Sequence, residues 1–256
     1  MSERPGEIVR PEPWAALRSL TPARIAIGRA GASLPTEEVL RFGLDHARAR
    51  DAVHAALDAK ALAAELGAAG HAVRCVHSAA PDRPTYLARP DLGRKLDPES
   101  AAGIATSWAA PSPLVVVAAD GLSALAIERH LPPLLRELGA SEEAWSSCPV
   151  VVALQARVAL GDEIGERMGA EVVVVAIGER PGLSSPDSLG LYVTLAPRRG
   201  RTDAERNCIS NIRPEGLPYS PAAKRLIGTV AAARERGYTG VAGKRPPVLP
   251  GPSPAR

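Results

Sequence analysis

The hydrophobic pattern changes character near Pro111. Downstream, short all-apolar runs at 114–119, 150–154, 172–177 and 191–195 alternate with longer amphipathic segments. Each run is too short for a helix and rich in Val, which predicts a strand buried on both faces. The segments at 123–138, 160–169 and 221–236 carry a helical period. Pro132 and Pro133 are expected to kink or interrupt the first of them, because proline removes a helix donor and crowds the preceding turn. Strand–helix–strand repetition with both faces buried predicts a parallel α/β sheet over 111–240.

Upstream of Pro111 the pattern is mainly helical. A helix is predicted over 37–57, with Thr36 as N-cap and Glu37 and Glu38 where the helix dipole favours acids. Leu40, Leu44 and Ala47 share one face; Arg41, Asp45 and Arg48 form spaced charge pairs on another. A second helix over 59–66 is predicted to end at Gly67, followed by a strand over 71–76. Pro90, Gly93 and Pro98 argue against continuous structure through 86–98. The first 20 residues are polar and Pro-rich and are expected to lie extended on a surface. The stretch 240–256 holds five Pro and three Gly, the composition of a disordered tail. Three regions result: a mainly helical or irregular 1–110, an α/β domain at 111–240 and a tail at 241–256.

With 256 residues, 45% of them hydrophobic and 23% charged, the chain can bury a sizeable core. Lys and Arg exceed Asp and Glu by 31 to 28, too even a balance for a dedicated nucleic-acid surface. Aromatic residues are only 3%, which argues against base-stacking platforms. Cys75, Cys148 and Cys208 are far apart and form no C-x-x-C, which fits a reducing compartment. The N-terminus lacks the apolar stretch of a secretory signal. The longest apolar runs are about six residues, far below the roughly 20 needed to span a bilayer.

Searches for familiar chemistry return mainly negatives. There is no G-x-G-x-x-G after a strand, no G-x-S-x-G, no H-E-x-x-H and no Cys/His zinc spacing. GVAGK at 240–244 lacks the spacing and preceding strand of a phosphate loop. Ligands of open α/β sheets bind beyond the carboxyl ends of the strands. Asp120–Ser123, the turn 178–182 with Glu179, and 196–211 with Cys208 would all fall there. Asp120–Ser123 reads equally well as a turn with a Ser N-cap. A nucleophilic cysteine needs a nearby base. All five His, at 46, 54, 71, 77 and 130, precede Val150, so Cys208 reads as a packing residue, and no catalytic or metal-ligating set is assigned.

Longer strings carry a resemblance. GRAG (28–31), LDHARARDAV (44–53), YLARPDLGRKL (86–96), ADGLS (119–123), GDEIGE (161–166), GERPGLSSPDSLGLYVTLAPR (178–198) and ERNCISNI (205–212) resemble, in order, the small (light) subunit of ethanolamine ammonia-lyase. The resemblance implies an enzyme subunit, inactive alone, of an adenosylcobalamin-dependent lyase that converts ethanolamine to acetaldehyde and ammonia by a radical mechanism. It implies a Rossmann-like parallel sheet flanked by helices, a catalytic large-subunit barrel as partner in a hetero-oligomer, and a cobalamin pocket at their interface. The family's cofactor contacts fall on Val158, Glu179 and Cys208. D-x-H-x-x-G, the mark of a His replacing the cobalt's own base, is absent, so base-on adenosylcobalamin is expected. The expected location is the bacterial cytoplasm, or a bacterial microcompartment as in some members of the family. Neither a membrane nor a nucleic acid is an expected partner. The alternative is a non-catalytic ligand-binding or interaction module of α/β fold.

Overall fold

The structure is a computed structural model that describes residues 8–10, 12–21, 23–107 and 111–241. The predicted tail at 241–256 lies outside the described residues except for Val241. Near the N-terminus, β1 (Val9–Arg10) pairs antiparallel with β2 (Arg29–Ala30). Between them Ala15–Leu20 forms a 3-10 helix rather than the extended chain expected there.

Helix α1 (Thr36–His54) begins with Pro35 at the N-cap position, so Thr36 is the first helical residue and not the cap. Fixed φ suits proline to a helix entry. The helix stops at His54, three residues short of the predicted end. Helix α2 (Ala59–Ala68) runs through Gly67 and is capped by the Asp58 carboxylate, which accepts from Ala61 N. Strand β3 (Val73–His77) follows. The region of Pro90 and Gly93 is broken, as its composition predicts. It also holds α3 (Arg83–Ala88), with Pro84 in its first turn, and leads into α4 (Pro98–Ser107).

The remaining strands and α-helices are β4 (Leu114–Ala119), α5 (Ala124–Ser141), β5 (Val150–Leu154), α6 (Leu160–Arg167), β6 (Val172–Gly178), β7 (Leu189–Leu195), β8 (Asn207–Ile212) and α7 (Tyr219–Arg236). Helix α5 carries Pro132 and Pro133 without interruption. Ile127, Leu131, Pro132, Leu134 and Leu135 are all buried, and packing of this face outweighs the roughly 3 kcal/mol penalty of an interior proline.

The strands form one six-stranded sheet in the order β3-β5-β4-β6-β7-β8. β3, β5, β4 and β6 are mutually parallel. The fourth apolar run corrects the all-parallel expectation, because β7 pairs antiparallel with β6. Only residues 179–188 separate them, and a parallel crossover needs a dozen or more. A second correction follows: residues 207–212 form β8, antiparallel to β7, where a loop was expected.

Alternation divides the core by sheet face. Val116, Val152, Val174, Leu191, Val193 and Ile209 point to one side, where α2, α5 and α7 pack. Val115, Val117, Val151, Val173 and Val175 point to the other, against Leu160 and Ile164 of α6 and Ile104 of α4. Gly161 and Gly165 let α6 lie close to this face: a Cβ on the first would collide with Val175, and one on the second would come 2.9 Å from Pro197 Cβ.

Candidate functional site

Two elements at the carboxyl edge of the parallel strands are fixed by buried polar groups. Asp120, just after β4, is 3% exposed. Its carboxylate accepts from Gln155 N and Ala156 N, each at 2.9 Å. Burial raises the Asp120 pKa, while the two amides and Arg83 oppose that shift. These bonds hold the β5–α6 loop, in which Gln155 takes a left-handed φ of 51°, a conformation that persists only where its surroundings over-determine it. Asp120 therefore positions the loop that ends in Val158. Ser123 is buried, and its hydroxyl donates to Pro186 O at 2.9 Å rather than capping α5. The Asp120–Ser123 turn is thus scaffolding.

Glu179 directly follows β6. Its carboxylate accepts from the Ser188 hydroxyl and, at 3.2 Å, from Asn211 N. A bulge supplies the second bond. Leu189 faces Ile212 and Leu191 faces Ile209, so Ser210 and Asn211 stand opposite Gly190 alone. Asn211 has a φ of 60°, and its amide turns to the carboxylate. Gly190 lies beneath: a Cβ there would come 2.9 Å from Glu179 Oε1. Both hydrogen bonds fall on Oε2, and Oε1 has no hydrogen-bond donor among the described residues.

Between this carboxylate and the start of α6, no helix among the described residues covers one face of the sheet. Helices α4 and α6 cover the parallel strands there, whereas Tyr192 is half-buried and Cys208 and Ser210 are exposed. Cys208 sits opposite Tyr192 in the β7–β8 register, on a strand and not in a loop. Burial raises the Cys208 thiol pKa, a hydrogen bond from Tyr192 opposes this, and Glu179 adds to the rise. Burial, together with Cys208, also pushes the Tyr192 phenol up to about 12. Both groups are therefore neutral near pH 7, which suits a surface that packs and hydrogen-bonds rather than a nucleophile. Val158 and Tyr192 share a cleft of about 450 Å³. The fold thus gathers Val158, Glu179 and Cys208 around Tyr192.

The bare strip is bounded at its far end by the loop after β7. Arg206 lies under that loop, 6% exposed, and makes a bidentate pair with Asp162 of α6 at 2.5 and 2.8 Å; it also donates to Thr194.

The pattern of the family "Ethanolamine ammonia-lyase light chain (EutC)" matches residues 11–244. The chain belongs to the ethanolamine ammonia-lyase light-chain family. It is 56% identical to the ethanolamine ammonia-lyase small subunit of Ralstonia nicotianae over 239 residues, 91% of this chain and 88% of that one. It is 56% identical to the small subunit of Pseudomonas syringae pv. tomato over 90% of this chain and 82% of the other. The Pseudomonas putida (strain GB-1) small subunit is 55% identical over 90% and 86%. Membership makes this a lyase subunit.

Among the described residues, no three His, Cys, Asp or Glu side chains converge as metal ligands, and no helix is long and apolar enough to cross a membrane. Reading the sequence for strand-end loops misses Gly190 and Tyr192. The signal is present in LGLYVTL, where Gly190, Tyr192 and Thr194 alternate with Leu and Val, the mark of a strand with unlike faces rather than one buried on both.

Proposed function

We propose that this chain completes the adenosylcobalamin pocket of an ethanolamine ammonia-lyase, with a catalytic large subunit supplying the opposite wall. The observation that carries this reading is the bare β7–β8 strip bearing Tyr192 and Cys208 between Val158 and Glu179. The residues fit the group. A corrin is a broad, partly apolar disc with an uncharged amide rim. The half-covered strip offers area for the disc, and the free Oε1 of Glu179 offers an acceptor for an amide donor. Gly190 leaves room for that carboxylate. Val158 and Cys208 provide apolar contact beside Tyr192.

When bound base-on, adenosylcobalamin supplies the radical chemistry by which ethanolamine becomes acetaldehyde and ammonia. This chain contributes binding, orientation and exclusion of water, and no acid–base pair of its own. Helix α1 supports the partner assignment. It is 19 residues long, yet only Glu38 and Ala52 are buried, while Val39, Leu40, Phe42 and Leu44 are exposed. An apolar surface of this kind marks an interaction face, in keeping with residues 1–110 packing on the large subunit.

Reconstitution tests the reading. Mixed with the large subunit and adenosylcobalamin, the chain should give an ethanolamine-dependent change in cobalt–carbon absorbance, and neither chain should do so alone. Turnover by this chain without the large subunit, or failure of the two chains to associate at micromolar concentration, would refute it.

A further inference from the structure

The cleft shared by Val158 and Tyr192 is walled by guanidinium groups that an amide-rimmed ring does not require. Arg94, Arg157, Arg201 and Arg206 all line it. Arg206 is held by Asp162 and Asp203, and Arg201 by Glu205. Arg94 and Arg157 have no carboxylate partner among the described residues. Arg157 stacks 4.4 Å from the Tyr86 ring centroid and donates from Nη2 to Tyr86 O at 3.2 Å, while its buried Nε has no partner. Its backbone N donates to Gly93 O at 2.8 Å. A Cβ on Gly93 would come 2.9 Å from Arg157 Cγ and 3.0 Å from the Tyr86 ring. The YLARPDLGRKL string is thereby explained: Tyr86 and Gly93 lock Arg157 in place and set the exposed Arg94 beside it. The adjoining cleft of about 590 Å³ shares Arg94 and Arg201 and adds Lys95; its Arg199 is paired with Glu163 and its Asp162 with Arg206. Asp91, on the same rim, is bound at both oxygens by Arg89.

We infer that this cleft is an anion site, and that its ligand is the phosphodiester of the cobalamin nucleotide loop, held by Arg94 and Arg157. The inference rests on the cobalamin reading above. The corrin rim carries amides, and the phosphodiester is the acidic group of the cofactor. Guanidinium forks match phosphate oxygens in pairs. With the disc over Tyr192 and Cys208, the cleft is where a tail leaving the ring beside Val158 enters.

Two corrinoids separate this site from the ring site. The complex of this chain with its large subunit is titrated with cyanocobalamin and with dicyanocobinamide, which lacks the phosphodiester-linked base, and binding is read by corrin absorbance. Arg94→Ala should weaken cyanocobalamin about tenfold, the scale of one charge-assisted hydrogen bond, and leave dicyanocobinamide within about twofold. Arg94→Lys should recover part of the loss. Equal weakening of both corrinoids, or an unchanged cyanocobalamin affinity in Arg94→Ala, would overturn the phosphodiester assignment while leaving the ring site standing. A co-eluting wild-type complex that binds neither corrinoid would overturn the cobalamin reading itself, and this site with it.

Discussion

The two faces of the sheet are built on different terms. One is covered from β3 to β8: α2, α5 and α7 bury Val116, Val152, Val174, Leu191, Val193, Ile209 and Ile212 in a continuous core. The other is covered, among the described residues, over the parallel strands alone, where α4 and α6 pack. The covered face holds the fold, and the half-covered face leaves room for something else. The difference follows from the turn after β6. A crossover there would have placed another helix on the sheet, and the short 179–188 connection instead returns the chain as β7.

The largest effects should fall where the structure is closed. Asp162→Ala would leave Arg206 as a buried charge without its bidentate partner and should cost about 3–5 kcal/mol, read as a lowered denaturation midpoint. Leu134→Ala, on the covered face, should cost about 2–5 kcal/mol through a cavity. If Leu134→Ala were as stable as the parent, the contrast between faces would be misdrawn, and an unchanged Asp162→Ala would remove the buried pair that bounds the open strip.

On the half-covered face the order of effects reverses, with binding moving more than stability. Glu179→Ala should raise the apparent KM for adenosylcobalamin about tenfold with little change in kcat, as expected for uniform binding. An unchanged cofactor affinity would count against its assignment. Gly190→Ala should push the Glu179 carboxylate aside and reproduce a smaller part of that loss, with the far-UV spectrum intact. Cys208→Ser should be the mildest, within about 0.5 kcal/mol in stability and with turnover retained, because the thiol is protonated at neutral pH. Loss of all turnover in a folded Cys208→Ser complex would restore the nucleophile that the geometry argues against.

What was legible in the sequence follows the same division. The strands β4, β5 and β6 show as unbroken Val-rich runs because both of their faces are buried, and the helices α5, α6 and α7 show through their helical period. The antiparallel return and β8 were not legible. In NCISNI the buried residues Ile209 and Ile212 are three apart, since the bulge at Ser210 and Asn211 breaks the period of two, and a loop is the natural reading. Glu179 could be placed from position, as a charge directly after an apolar run. Cys208 falls in a segment that position alone puts at the sheet edge, but its role, like that of Val158, is implied by the family resemblance. Arg157 is far in sequence from Tyr86 and Gly93 and meets them only once β5 is laid beside β3.

The bulge has one more consequence, for solubility. β8 is the last strand of the sheet, and its outer rim would ordinarily invite a stray strand to add on. By inserting an extra residue there, the chain kinks that rim and turns one amide inward to a carboxylate, so the register a newcomer would need is lost. The edge beside the open face is in this way kept from becoming a seam for self-association.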